Sequence, residues 1–444
     1  MRIMAAYRHP VWEEQTVVLV IIVLQKGENS MPCLVKTGTA LTFALAVLCM
    51  TSPAAAQSAT DDSENFVEDE NYLRLGTADR HVTLAPFIQL DGGYADRSPG
   101  GGGWDARLRL ARFQLFAQYD RAKLTFAYDS NNDAFPLRYA FVSYDISDAL
   151  IVKVGQQDEP FSLQDYSGSR FLPFVEPGQS NSLIPGDNVG ALVQYGGSNY
   201  SITAGVFGGD LNNGVGDKGV AVTGRVTWAP VYEQERIERG GDATSNGVGT
   251  QRVDDLLHLG AALSYRSGNN DSLSFSGSPE TKLLTQPIAT APGFRDASSI
   301  LLVNLEAARS VGSWSAQGEF TAAQVRSPTV NGTATGGYLY TTFFLTGERR
   351  GYSRSTGTFG RVIPKNPVGE GGFGAVEVGA RADYLDLTRL GPNAGAQVGL
   401  TAVTNLYLTK RFLTEVGYTH TIGTAGNARN VNADAITFRF QYAY

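Results

Sequence analysis

Arg107, Arg109, Lys153, Arg225, Arg381 and Arg439 share one kind of setting: each alternates with apolar neighbours along a run of period two. Lys153 stands between Val152 and Val154, and Arg107 and Arg109 alternate with Leu108 and Leu110. A guanidinium presents a fork of N–H donors to the oxygens of a phosphate or carboxylate. A file of such groups facing one way is therefore suited to drawing oxyanions, above all where low-dielectric walls focus the field. By the same alternation Glu306, Glu319, Glu377, Asp383 and Glu415 take the same face and could balance those charges. Arg112 follows a break in phase, which leaves its direction open, and Arg170 lies in a long loop beside Phe171, Phe174 and Glu176.

Covalent or metal chemistry has little to work with. Downstream of residue 56 the histidines are His81, His258 and His420, none in a nucleophile or metal motif, and there is no cysteine. The "GGGG" at 100–103 lacks the Lys-Ser/Thr ending of a phosphate-cradling loop. "SENFVEDEN" (63–71) reads as a solvated acidic arm. Neither an enzyme nor a cofactor is expected.

The elements that must carry the basic file are strands. Ile202, Ala204 and Val206 alternate with Ser201, Thr203 and Gly205. Val222, Val226 and Trp228 oppose Thr223, Arg225 and Thr227; Trp314, Ala316 and Phe320 oppose Ser315, Gln317 and Glu319. Such two-faced strands suit a soluble sandwich, with the apolar face on a core, or a membrane barrel, with the apolar face on lipid. Tight turns at 119–123, 146–149, 197–199, 309–312 and 409–412 alternate with long segments at 93–103, 157–188, 208–218, 267–296, 326–334 and 421–431. That asymmetry predicts an all-β, antiparallel transmembrane barrel. A first count of 17 strands is odd; folding "DSLSFSG" (271–277) into a loop gives 16 and makes 230–252 and 348–372 long excursions on the turn side. Strands of about 9–11 residues would span the hydrocarbon. The chain closes on "AITFRFQYAY", with Ile436, Phe438, Phe440, Tyr442 and Tyr444 on one face. A barrel must pair its last strand with its first.

Composition agrees. There are 22 Phe, 20 Tyr and 51 Gly in 444 residues, and charged residues are 18% against about 25% in ordinary soluble domains. A net charge of −7 argues against a nucleic-acid partner. Residues 31–56 read as a secretory signal peptide ending in Ala54-Ala55-Ala56, and residues 1–30 as an over-long reading frame. Cleavage would remove both cysteines and leave 32 basic against 40 acidic residues. The remaining division is an acidic periplasmic segment, 57–80, and a barrel, 81–444.

Two blocks carry a family resemblance. "VKVGQQDEPFSLQDYSGSRFLPFVEPGQSNSLIPGDNVGALVQYG" (152–196) and "FFLTGERRGYSRSTGTFGRVIPKNPVGEGGFGAVEVGARADYLDL" (343–387) resemble the phosphate-selective porin O and P family, with weaker similarity over most of 82–444. The resemblance implies a bacterial outer-membrane homotrimer of 16-stranded barrels. It also implies an inward-folded third loop, here 157–188 with Glu159, Pro160, Phe161, Phe174 and Glu176, and a ladder of basic pore residues that attracts small anionic solutes. Members commonly carry "ER" where this chain has Glu176-Pro177, so one basic residue is missing. The aromatic C-terminal strand ending at Tyr444 resembles the signal read by the barrel-assembly machinery. The readings to be separated are an anion-preferring porin, a general or acidic-sugar porin with balanced charge, and a plugged barrel with a surface-binding role.

Overall fold

Strands form where side chains alternate, because successive residues of an extended chain point to opposite faces. The computed structural model describes residues 74–444 apart from 78, 99, 131–135, 214–218, 235–250, 270–274, 285, 292, 294–296 and 426–428. The signal-peptide and reading-frame assignments, and most of segment 57–80, lie outside the described residues. Sixteen long antiparallel strands follow: β1 (Phe87–Ser98), β2 (Gly101–Tyr119), β3 (Ala122–Ser130), β4 (Leu137–Asp145), β5 (Leu150–Asp158), β6 (Asp187–Gly196), β7 (Tyr200–Phe207) and β8 (Val220–Gln234). They continue as β9 (Gln251–Asn269), β10 (Ala297–Val311), β11 (Trp314–Arg326), β12 (Asn331–Phe344), β13 (Ala375–Asp386), β14 (Ala396–Tyr407), β15 (Phe412–Ala425) and β16 (Arg429–Ala443). Each pairs with its chain neighbours, and β16 pairs with β1 from Asn432↔Ser98 to Ala443↔Phe87, which closes the barrel. Among the described residues none of the sixteen long strands is left unpaired on either side, the condition for residing in hydrocarbon.

The two faces differ as the alternation requires. On β7, Ile202 and Val206 are 45% and 52% exposed, while Ser201 and Thr203 are 1% and 2%. Ile436, Phe438 and Phe440 face outward on β16. The outside is thus an apolar surface, and the polar residues point in.

Several expectations need correction. Segments 93–103, 326–334 and 421–431 are not long loops: β1 runs to Ser98 and β2 starts at Gly101, four residues join β11 to β12, and β15 runs to Ala425. Backbone ladder bonds need no particular side chain, so Gly- and Asn-rich stretches stay paired. β2 and β9 reach 19 residues each, well beyond the expected 9–11. The break in phase near Arg112 is a β-bulge: Gln89 pairs with Leu110 and Leu90 with Leu108, which leaves Arg109 as the extra residue. Arg112 then pairs with inward Phe87 and so faces inward, in an ion pair with Asp129 at 2.6 Å. In β5, Gly155 has φ +129°, and a Cβ there would sit 2.2 Å from the Ala140 carbonyl oxygen. Only glycine lets β5 bend at that point before the long loop leaves it.

Three segments do not run along the wall. Residues 159–186, between β5 and β6, contain a short helix, Leu163–Ser167, capped by Ser162. Residues 270–296, between β9 and β10, carry a two-residue pairing of Ser276–Gly277 with Ala289–Thr290. Residues 345–374, between β12 and β13, contain a hairpin of Gly351–Ser353 with Thr358–Gly360. The third segment starts from the rim where β1 begins and β16 ends, the terminal rim; the other two start from the opposite rim. All three touch inward-facing side chains.

Candidate functional site

The inner wall carries its charges in register. Glu377, Asn405, Glu415, Arg439, Asp91 and Arg107 stand directly opposite one another across β13, β14, β15, β16, β1 and β2. Arg439 sits at the centre, with Nε 2.6 Å from Asp91 Oδ1 and Nη2 2.9 Å from Glu176 Oε1. Glu176 comes from segment 159–186 and also accepts from Arg109 Nη2 at 2.8 Å. Burial opposes its charge, but Arg109 outweighs that with help from Arg439, holding the carboxyl well below the usual carboxylate range.

Arg225 and Arg381 are matched in the same way. Arg225 meets Glu306 at 2.7 Å, and Arg381 lies 3.1 Å from Asp383 and 3.2 Å from Glu280. Arg381 also donates to the Glu176 carbonyl at 2.8 Å, beneath the Phe174 ring. Arg107 donates to the Lys282 carbonyl. Glu159 takes Arg266 at 2.8 Å and Asn188 at 2.7 Å, with Pro160 buried next to it. Phe161 and Phe174 are buried in separate apolar clusters against the wall, Phe174 beside Tyr338, Tyr340 and Val403.

Segment 159–186 has an anchor that the sequence did not single out. Glu319 accepts four hydrogen bonds: Leu163 N at 3.0 Å, Gln164 N at 2.8 Å, Asn304 Nδ2 at 2.8 Å and Tyr338 OH at 2.5 Å. The carboxylate meets the otherwise unsatisfied N–H groups at the start of the short helix. Further along, Asn405 donates to the Pro173 carbonyl at 2.9 Å and Gln441 to that of Arg170 at 3.1 Å.

Lysine and arginine without a carboxylate are found elsewhere. Lys123, Ser143 and Lys153 stand opposite one another across β3, β4 and β5 on the inward face. Lys153 Nζ has only Gln194 Oε1, at 3.3 Å, and lies 6.0 Å from the Phe141 ring; Lys123 Nζ lies over the Phe116 ring at 4.7 Å. Among the described residues neither makes an ion pair. Arg170 likewise has no carboxylate partner; it lies over Phe171 and lines a cavity with Arg361, Thr409 and Gln441. Burial, and then repulsion from Arg112 and Arg361, lowers its affinity for its proton. Lys123 was missed, although "KLTFAY" carries the same alternation as the lysine that was found.

The histidines serve other ends. His258 is fully buried, 2.6 Å from Tyr352 OH and 3.1 Å from Glu306 Oε1, and His420 meets Asp434 at 2.8 Å. Among the described residues no three His, Cys, Asp or Glu are grouped to hold a metal.

A closed 16-strand barrel with an apolar exterior and a polar, charge-lined interior defines an outer-membrane porin. The high-pH structure of Pseudomonas putida OprB has the same fold, at 10% identity over 82% of this chain and 94% of that one, with a TM-score of 0.50. The phosphate-selective porin O and P family pattern matches residues 106–444, and the chain belongs to that family. An uncharacterized protein of Caulobacter vibrioides is 27% identical over 378 residues, covering 78% of this chain and 69% of its own. The protein is therefore a multi-pass barrel of the bacterial outer membrane.

Proposed function

We propose that the barrel passes small polar solutes by passive diffusion with a weak preference for anions, segment 159–186 setting the constriction. The observation that carries the preference is the Lys123–Ser143–Lys153 row, whose two ammonium groups make no ion pair among the described residues. An unmatched cation in a narrow wet lumen lowers the barrier for an anion and raises it for a cation. Arg170 adds a third such charge from the loop side. The matched arginines, including Arg109, Arg225, Arg381 and Arg439, contribute less than a ladder of bare ones would.

Reversal potential across a KCl gradient in a planar bilayer tests this. The wild type should favour chloride, and Lys123→Gln with Lys153→Gln should bring the reversal potential close to that of an unselective pore. Phosphate, added as a competing oxyanion, should reduce chloride current in the wild type and less so in the double variant. An unchanged reversal potential in the double variant would refute the role given to the row. The second reading, a general diffusion porin of balanced charge, draws support from the ion pairs around Arg439 and Arg381; it expects no chloride preference in the wild type. A plugged barrel expects no conductance. The homotrimer and recognition of the Tyr444 strand by the assembly machinery belong to the same proposal, the first checked by the mass of the detergent-solubilised protein.

A further inference from the structure

Residues 351–360 enter the lumen from the terminal rim and meet the loop that enters from the other side. Phe359 N donates to Ser167 Oγ at 3.1 Å, and Leu163, Tyr352 and Phe359 share one buried apolar cluster. The tip crosses towards β6, where Gln194 donates to the Ser355 carbonyl at 3.3 Å. Gly357 takes φ +63° and lies so close to Thr227 that a Cβ would come within 2.4 Å of its hydroxyl oxygen. Substitution there is therefore strained both in backbone and in space.

What holds this hairpin down is Arg225. All three nitrogens of its guanidinium are engaged: Nε with Glu306 at 3.0 Å, Nη1 with the Thr356 carbonyl at 2.9 Å and Nη2 with the Gly357 carbonyl at 2.7 Å. Glu306 continues to His258, and His258 to Tyr352 on the hairpin itself. The circuit therefore leaves the wall at Arg225, grips the tip and returns to the wall through the hairpin's first strand. A guanidinium so committed has little left to offer a passing oxyanion.

We propose that Arg225 is a positioning residue for a second constriction, the hairpin 351–360, and limits the size of permeating solutes rather than binding anions. This rests on the channel reading given above. Neutral solutes then meet two restrictions in series, one from each rim, and the lysine row retains the charge preference.

The test compares Arg225→Gln with a variant in which residues 354–357 are replaced by a two-residue turn, which keeps Arg225 and the wall intact. Single-channel conductance, the largest polyethylene glycol that enters, and reversal potential are read for each. Both variants should raise conductance by roughly two-fold and admit larger polymers; reversal potential should hold in the shortened variant, whereas Arg225→Gln, which leaves Glu306 unmatched, should move it towards cations. Combining them should add little beyond the shortened hairpin alone, as expected for two changes acting through one element. Unchanged conductance and polymer cut-off in the shortened variant would overturn the proposal. So would an Arg225→Gln channel whose conductance and cut-off both stay at the wild-type values, since the hairpin would then not depend on Arg225. A silent wild type beside a conducting shortened variant would sink only the open-pore reading and would support the hairpin as the obstruction. If both are silent, the hairpin proposal fails with it.

Discussion

The two sides of the inner wall use charge differently. From β8 round to β16, Arg225, Arg381 and Arg439 are locked into carboxylates that come from the wall or from the segments entering the lumen. From β3 to β5 the lysines face the lumen without such partners. A buried ion pair spends its attraction on desolvation and geometry, so its contribution is to fix what touches it. An unmatched charge has no such commitment and leaves its field to the lumen. The position of a basic residue on the inward face therefore does not by itself tell whether it binds cargo or holds structure.

The largest effect should come from breaking the matched side at its centre. Arg439→Met leaves Asp91 and Glu415 on the wall and Glu176 on the loop without their shared cation. Removing one partner of a buried pair costs about 3–5 kcal/mol, which should appear as a lower urea midpoint for the folded barrel in detergent. A midpoint within error of the wild type would place Arg439 with the unmatched charges instead.

Next in size is the loop anchor. Glu319→Ala removes the acceptor for Leu163 N, Gln164 N, Asn304 and Tyr338 together. Asn304 keeps the Phe161 carbonyl as an acceptor, so the net cost, about 1–3 kcal/mol for donors left unsatisfied, is smaller than that of Arg439→Met and falls on docking of residues 162–167. Open-channel current noise should rise several-fold while reversal potential holds, because the lysine row is untouched. The unmatched side should behave in the opposite way: Lys123→Gln, at a half-buried position with no ion pair to lose, is expected to shift ion preference towards cations with a change in stability of under about 1 kcal/mol. If stability fell sharply and selectivity did not move, the contrast between the two sides would fail.

How much of this could be read from the chain follows from distance along it. Alternation is local, so the outward Ile202, Val206 and Phe438 and the inward Thr203, Arg225 and Arg439 were legible, as was the count of 16. Partners were not: Asp91 and Arg439 are 348 residues apart, and nothing in either neighbourhood points to the other. The inward course of 345–374 was hidden for the same reason, since its grip comes from Arg225 and His258 on other strands. Segments 93–103 and 421–431 read as long loops because Gly and Asn suit both loops and hairpins. The lesson for Lys123 is different, since its alternation was present and overlooked.

The smallest effect is one of pH, and it bears on the segment that joins the two sides. Asp165 lies on the short helix, half-buried, facing Asp158 and Glu319 as well as Arg138 and Arg112. Burial and then the Asp158 charge raise its carboxyl from 3.8 to about 7. A raised carboxyl prefers its proton in the docked loop, so docking is firmest below the ordinary value, weakens as pH rises from about 4 to about 7, and changes no further above that. Loop-dependent current noise should therefore increase between pH 5 and pH 7.5 and level off. Asp165→Asn should hold the low-pH noise throughout. A slope that survives in the Asn variant would assign the titration to another group and detach the helix from the matched side of the wall.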